Sequence, residues 1–115
     1  MSHRKIVMEI VSAFDNNDIE AILSCVTDDI EWHMLGDQTV SGKENLRQFF
    51  TDHADMKMVS STKNHIIIEG DSVSIDGDVH CSDGKTKDFH FHYCDIYDIE
   101  NEKIKRITTY TVNKK

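Results

Sequence analysis

The chain opens on helical periodicity. Between residues 3 and 15 the apolar side chains Ile6, Val7, Ile10, Val11 and Phe14 form one stripe, which predicts an amphipathic helix. Asp15-Asn16-Asn17-Asp18 interrupts it. Asp18 is a good N-cap for a second helix, with Ile19, Ile22, Leu23 and Val26 on one face and Thr27-Asp28-Asp29 as its end. Ile30 to Leu35 reads as a short strand. Ser41-Gly42-Lys43-Glu44 has the form of a capping box, in which a serine hydroxyl and a glutamate three residues on satisfy the first amides of a helix. It predicts a third helix to about His53, with Leu46, Phe49 and Phe50 inward.

From residue 64 the period becomes two. His65–Glu69 reads as a strand, followed by the hairpin signal Gly70-Asp71. Val73, Ile75, Val79 and Cys81 then alternate with Ser74, Asp76, Asp78 and His80 up to a second hairpin signal, Asp83-Gly84. Residues 87–99 form a long predicted strand, and Glu100-Asn101-Glu102-Lys103 turns it into a last one at 104–112. Helices followed by an antiparallel meander predict an α+β domain with helices on one face of the sheet. We take residues 1–115 as a single domain.

Composition narrows the function. The 115 residues carry 21 acidic and 13 basic side chains, a formal charge of −8, which argues against nucleic acid or an anionic membrane surface as partner. No apolar run approaches the ~20 residues of a membrane span, and no signal peptide is read at the N-terminus. The three cysteines form no C-x-x-C pair, which suits a reduced, cytoplasmic protein. Proline is absent, so nothing interrupts the strand ladders after residue 64.

Three segments carry a family resemblance: Asp28-Asp29-Ile30-Glu31-Trp32, the stretch SGKENLRQFF at 41–50, and DIYDIENEKIKRITTYTV at 95–112. In this order they resemble the SnoaL-like and ketosteroid-isomerase-like branch of the nuclear transport factor 2-like superfamily. The resemblance implies a cone, in which three N-terminal helices pack on a strongly curved antiparallel sheet around an apolar pocket. It also implies a homodimer through the outer face of that sheet.

Alternation divides each strand into two sets. On residues 72–81 one set is apolar and the other holds Asp76, Asp78 and His80; on 88–99, one holds Phe89, Phe91, Tyr93, Asp95 and Tyr97, the other His90, His92, Cys94, Ile96 and Asp98. Resemblance to limonene epoxide hydrolases places Asp78 at an acidic pocket position and Phe91 and Tyr93 on the pocket wall. It places Trp32 and Met34 at the mouth, and Ile107 and Thr109 on the pocket side of the last strand. Those hydrolases use an Asp-Arg-Asp arrangement, whereas Asp76 stands at the arginine position here and Thr109 at the second aspartate. Ketosteroid isomerases carry their base near His33 or Met34, where no carboxylate stands.

The candidate catalytic residues are therefore Asp78, Asp95 and Tyr93, since a carboxylate in an apolar pocket has a raised pKa and can accept a proton. Phe49, Asp76, His80 and Tyr97 join the pocket-wall and mouth positions above as candidate ligand contacts. His90 and His92 share one strand face with Cys94, but spacing supplies no complete ligand set, so no metal is expected, and no cofactor. Two functions remain open. One is a binding module for a small apolar ligand; the other is a cofactor-free isomerase, cyclase or hydrolase working by acid/base chemistry on a steroid-, terpene- or polyketide-like substrate.

Overall fold

A computed structural model describes residues 2–114. Helix α1 (His3–Asp15) begins where Ser2 accepts a hydrogen bond from the Lys5 amide, and it buries the predicted stripe Ile6, Val7, Ile10 and Val11. Helix α2 (Ile19–Ser24) is capped by Asp18, whose carboxylate accepts from the Ala21 amide. It ends earlier than the sequence suggested. Val26 already belongs to strand β1 (Val26–Met34) because the backbone there pairs in parallel with the last strand, Val26 opposite Ile104.

Strand β2 (Thr39–Ser41) folds back on β1 and leads into helix α3 (Lys43–Asp52). The capping box does not form. Ser41 is held in β2, the N-cap is Gly42 at φ +89°, and the cap makes no side-chain hydrogen bond. Only glycine adopts such a φ without steric cost. Asn45 instead donates its side-chain amide to the Ser41 carbonyl at 2.9 Å.

The remaining strands are β3 (Lys57–Ser61), β4 (His65–Glu69), β5 (Ser72–Ser82), β6 (Asp88–Glu100) and β7 (Lys103–Asn113). The sheet runs β2-β1-β7-β6-β5-β3, with β4 also on β5. The predicted meander holds for β4 to β7, but β1 joins β7 in parallel. β3 leaves no clear period in the sequence: its run, Lys-Met-Val-Ser-Ser, is short, and only Met58 and Ser61 are half-buried.

Both β3 and β4 pair with β5, and the chain between them crosses β5 at Gly77. A Cβ on Gly77 would lie 1.9 Å from the Thr62 carbonyl oxygen, so a side chain has no room there. Thr62 and Asp78 exchange two hydrogen bonds at this crossing: the Thr62 amide donates to the Asp78 carbonyl, and the Asp78 amide to the Thr62 side-chain hydroxyl, both at 2.9 Å.

The core sits between the helices and the concave face. Ile10 and Val7 of α1 meet Val73 and Ile75 of β5, Tyr97 and Ile99 of β6, and Ile104 and Ile107 of β7, all buried. Each such aliphatic side chain taken from water contributes roughly 1.5–3 kcal/mol. Among the described residues no helix is long and apolar enough to cross a membrane.

Candidate functional site

Beyond this core the cone stays open as a cavity of about 560 Å³. Its lining follows from strand alternation. Once the apolar set of β5 faces the helices, the register of β6 forces Phe91, Tyr93, Asp95 and Tyr97 onto the same side. The register of β7 then brings Thr109 opposite Asp95, and β1 brings Met34 opposite Thr109. Helix α3 adds Phe49 and Phe50, and α1 adds Phe14.

Trp32 is the centre of the aromatic wall. Its ring lies 6.0 Å from Phe14, 5.7 Å edge-on from Phe49 and 5.8 Å from Phe50, measured between centroids. Aromatic pairs at such separations add about 0.5–1.5 kcal/mol each beyond burial. Its polar end starts a relay. Trp32 Nε1 donates to the Thr109 hydroxyl at 2.8 Å, and that hydroxyl donates to Asp95 Oδ1 at 2.7 Å. The Tyr97 hydroxyl donates to Asp95 Oδ2 at 3.2 Å.

Burial pushes the Asp95 carboxyl up to about 6, and the hydroxyls of Thr109 and Tyr97 hold it from rising further. Burial likewise raises the phenols of Tyr93 and Tyr97 far above their ordinary range, and the charge on Asp95 adds to this. Both tyrosines are thus neutral hydrogen-bond donors at any working pH. Tyr93 does not donate toward Asp95; its hydroxyl is held by the Thr62 carbonyl at 2.8 Å.

Four sequence candidates lie elsewhere. Asp76, Asp78 and His80 sit on the outer face of the sheet, because the apolar set of β5 takes the inner one. Asp76 lies 2.9 Å from His65, Asp78 lies 2.6 Å from His92, and His80 lies 2.6 Å from Asp88. The His92 hydrogen bond, with help from Lys114, holds the Asp78 carboxyl below its ordinary range, the opposite of what a pocket base needs. Ile107 faces inward but is covered by the core and does not reach the cavity. Trp32, Met34, Phe49, Phe91, Tyr93, Asp95, Tyr97 and Thr109 do line it.

A second polar group on the wall was not read from the sequence. Lys63 bonds Asp15, its ammonium also donates to the Ser61 hydroxyl at 2.7 Å, and Ser61 donates to Asp15 at 2.9 Å. All three line the cavity. Asp15 carried a usable signal: it stands four residues after Val11, on the apolar stripe of α1.

A profile of the SnoaL-like domain matches residues 7–107. The chain belongs to the SnoaL-like family. No curated protein matches it in sequence. Among solved structures, it is similar to a nuclear transport factor 2-like protein of unknown function from Cytophaga hutchinsonii, at 28% identity over 96% of this chain and 100% of that one, with a TM-score of 0.71. An LEH-like epoxide hydrolase from M. tuberculosis superposes with a TM-score of 0.85 at 14% identity, over 96% of this chain and 82% of that one. A further protein of unknown function, from Burkholderia pseudomallei, gives a TM-score of 0.84 at 15% identity, over 97% and 92%. These last two likenesses establish the fold of this SnoaL-like chain and leave its chemistry to the site itself.

Proposed function

We propose that the SnoaL-like cavity takes up a small, largely apolar molecule and that Asp95 exchanges a proton with it. The supporting observation is a carboxyl pushed up to about 6 on an otherwise aromatic and aliphatic wall. A base poised near neutral pH accepts a proton and returns it at comparable cost. In an isomerisation, Asp95 would take a proton from a carbon beside a carbonyl and return it at another carbon. That sequence balances without an oxidant, a reductant or a cofactor. A cavity of about 560 Å³ falls within the range of small-molecule sites.

A second reading, a binding module without turnover, is favoured by one feature. Both Asp95 oxygens already accept a hydroxyl bond, and the position where an epoxide hydrolase would carry a second acid holds the Thr109 hydroxyl. One experiment separates the two. Steroid, terpene and polyketide-like ketones are first screened by thermal shift against the wild type. Any binder is then incubated in D₂O and followed by NMR. Proton exchange predicts deuterium uptake beside the carbonyl by the wild type and none by Asp95→Asn. Binding without uptake supports the second reading, and no stabilisation by any compound overturns both.

We further propose a homodimer through the outer face of the sheet. Ile67, Tyr110 and Val112 are exposed there, and Cys94 and Ile96 lie between them on β6. Three unpaired cysteines fit the reducing, cytoplasmic setting expected from the sequence.

A further inference from the structure

The outer face of the sheet carries His65, His80, His90 and His92. Two of them pair singly with a carboxylate, His65 with Asp76 and His92 with Asp78. The other two share one. His80 and His90 are direct partners in the β5–β6 register, and their rings stack with centroids 4.0 Å apart and planes 14° from parallel. His80 Nε2 lies 2.6 Å from Asp88 Oδ1, and His90 Nε2 lies 3.1 Å from Asp88 Oδ2. Asp88 precedes His90 by two residues on the same strand, so both stand on one face. One ligand atom from each of the three residues falls within 4.8 Å of the others.

We propose that His80, Asp88 and His90 form a three-ligand site for a divalent transition-metal ion of the zinc class. Two imidazoles and a carboxylate are the donor types such ions select. In tetrahedral zinc, bonds of ~2.0–2.1 Å set neighbouring donor atoms ~3.3 Å apart. The separations of 2.6 and 3.1 Å are slightly tighter than this, so small side-chain rotations open a position for the ion. The antiparallel ladder fixes the backbone beneath them, and the β5–β6 turn keeps the three donors in one rigid hairpin. An ion there exchanges two hydrogen bonds for three coordinate bonds and leaves a position for water or a small anion. The sequence spacing concealed this site, because β6 alone pairs His90 with His92, and those two turn to different carboxylates. The site lies across the sheet from the cavity, so it stands independently of the proton chemistry proposed there.

The test is a zinc titration of the full chain, in competition with a chromophoric chelator and repeated by calorimetry. The expected result is one ion per chain. His80→Ala, His90→Ala and Asp88→Asn each weaken binding by about tenfold or more, since changes even in the second layer around a zinc site cost 10–100-fold. His65→Ala and His92→Ala leave it unchanged. Far-UV circular dichroism checks each fold, and His80→Gln serves if His80→Ala does not fold. No saturable binding, one ion per two chains, or equal loss in His92→Ala overturns the site.

Discussion

Thr109 donates its hydroxyl proton to Asp95 across two neighbouring strands at 2.7 Å, and the same oxygen accepts the indole N–H of Trp32 at 2.8 Å. Thr109 is thus the link between the indole and the carboxylate. It lowers the pKa of the carboxylate beside it and fixes the aromatic wall to the polar end of the cavity. Replacing it with valine keeps the shape and deletes both bonds. Asp95 in Thr109→Val then titrates above about 6, followed by the carboxyl carbon shift in NMR, and the orphaned indole N–H costs about 1–3 kcal/mol of stability. Thr109→Ser retains the hydroxyl and stays close to the wild type. An Asp95 pKa that stays put or falls in the valine variant would show that the hydroxyl does not stabilise the charge.

Asp95 also sets a direction for stability against pH. Its folded pKa of about 6 lies above the ordinary 3.8, so the folded chain holds this proton more tightly than the unfolded chain does. The stability gained is fully present below about pH 4 and is lost as pH rises through about 6. The loss is at most on the order of 3 kcal/mol, and less where water enters the cavity. Asp95→Asn carries no charge at any pH. Its melting temperature relative to the wild type therefore climbs from about pH 4 to about pH 7.5, by several degrees. Asp78 and Asp88, held below the ordinary range by hydrogen bonds from His92 and from His80 and His90, act the other way: their stabilisation is lost as pH falls. A flat difference between Asp95→Asn and wild type across that window would mean that Asp95 is not desolvated.

Much of this is legible in the sequence alone. The stripe Ile6, Val7, Ile10, Val11 and the alternation through β5 and β6 depend on burial of one face, and burial writes itself into sequence as periodicity. Asp95 could be picked out because it is a carboxylate in an aromatic strand set. The resemblance implies a pocket position for Asp78, and the structure turns it outward for an instructive reason. Family correspondence aligned a position, whereas the inward face is decided by Val73, Ile75 and Val79 on the same strand. The capping box failed because Ser41 was captured by a pairing with Glu31, a tertiary contact that no local motif reports. The group of Asp15, Ser61 and Lys63 joins three segments, and β3, which carries Ser61, has too weak a pattern to be seen.

The outer face offers a direct check on association. Tyr110 and Val112 are about half or more exposed there, and the proposed dimer would bury both. Tyr110→Glu places a charge on that face, opposite Cys94. Light scattering of the wild type at micromolar concentration is expected to give twice the chain mass, and Tyr110→Glu half of that. A wild type of single-chain mass would remove the dimer.

Gly77 provides the sharpest steric prediction. Its importance comes from space: the Thr62 carbonyl oxygen occupies the volume a Cβ would need, at 1.9 Å. The same oxygen accepts the Tyr93 hydroxyl at 2.8 Å. One carbonyl therefore ties together the crossing of the β3–β4 connection over β5 and the orientation of a cavity-wall phenol. Gly77→Ala must push that carbonyl away, and backbone yields less readily than a side chain. Inserting a methyl group into a packed site costs about 1–3 kcal/mol, which lowers the melting temperature by several degrees or more. The displacement also frees Tyr93, so any ligand found by thermal shift binds Gly77→Ala more weakly. Tyr93→Phe separates the two effects: it removes the hydroxyl bond and leaves the crossing intact, so it reproduces any loss of binding that comes from the phenol alone. A Gly77→Ala protein with wild-type stability would mean that the connection does not cross β5 at this distance.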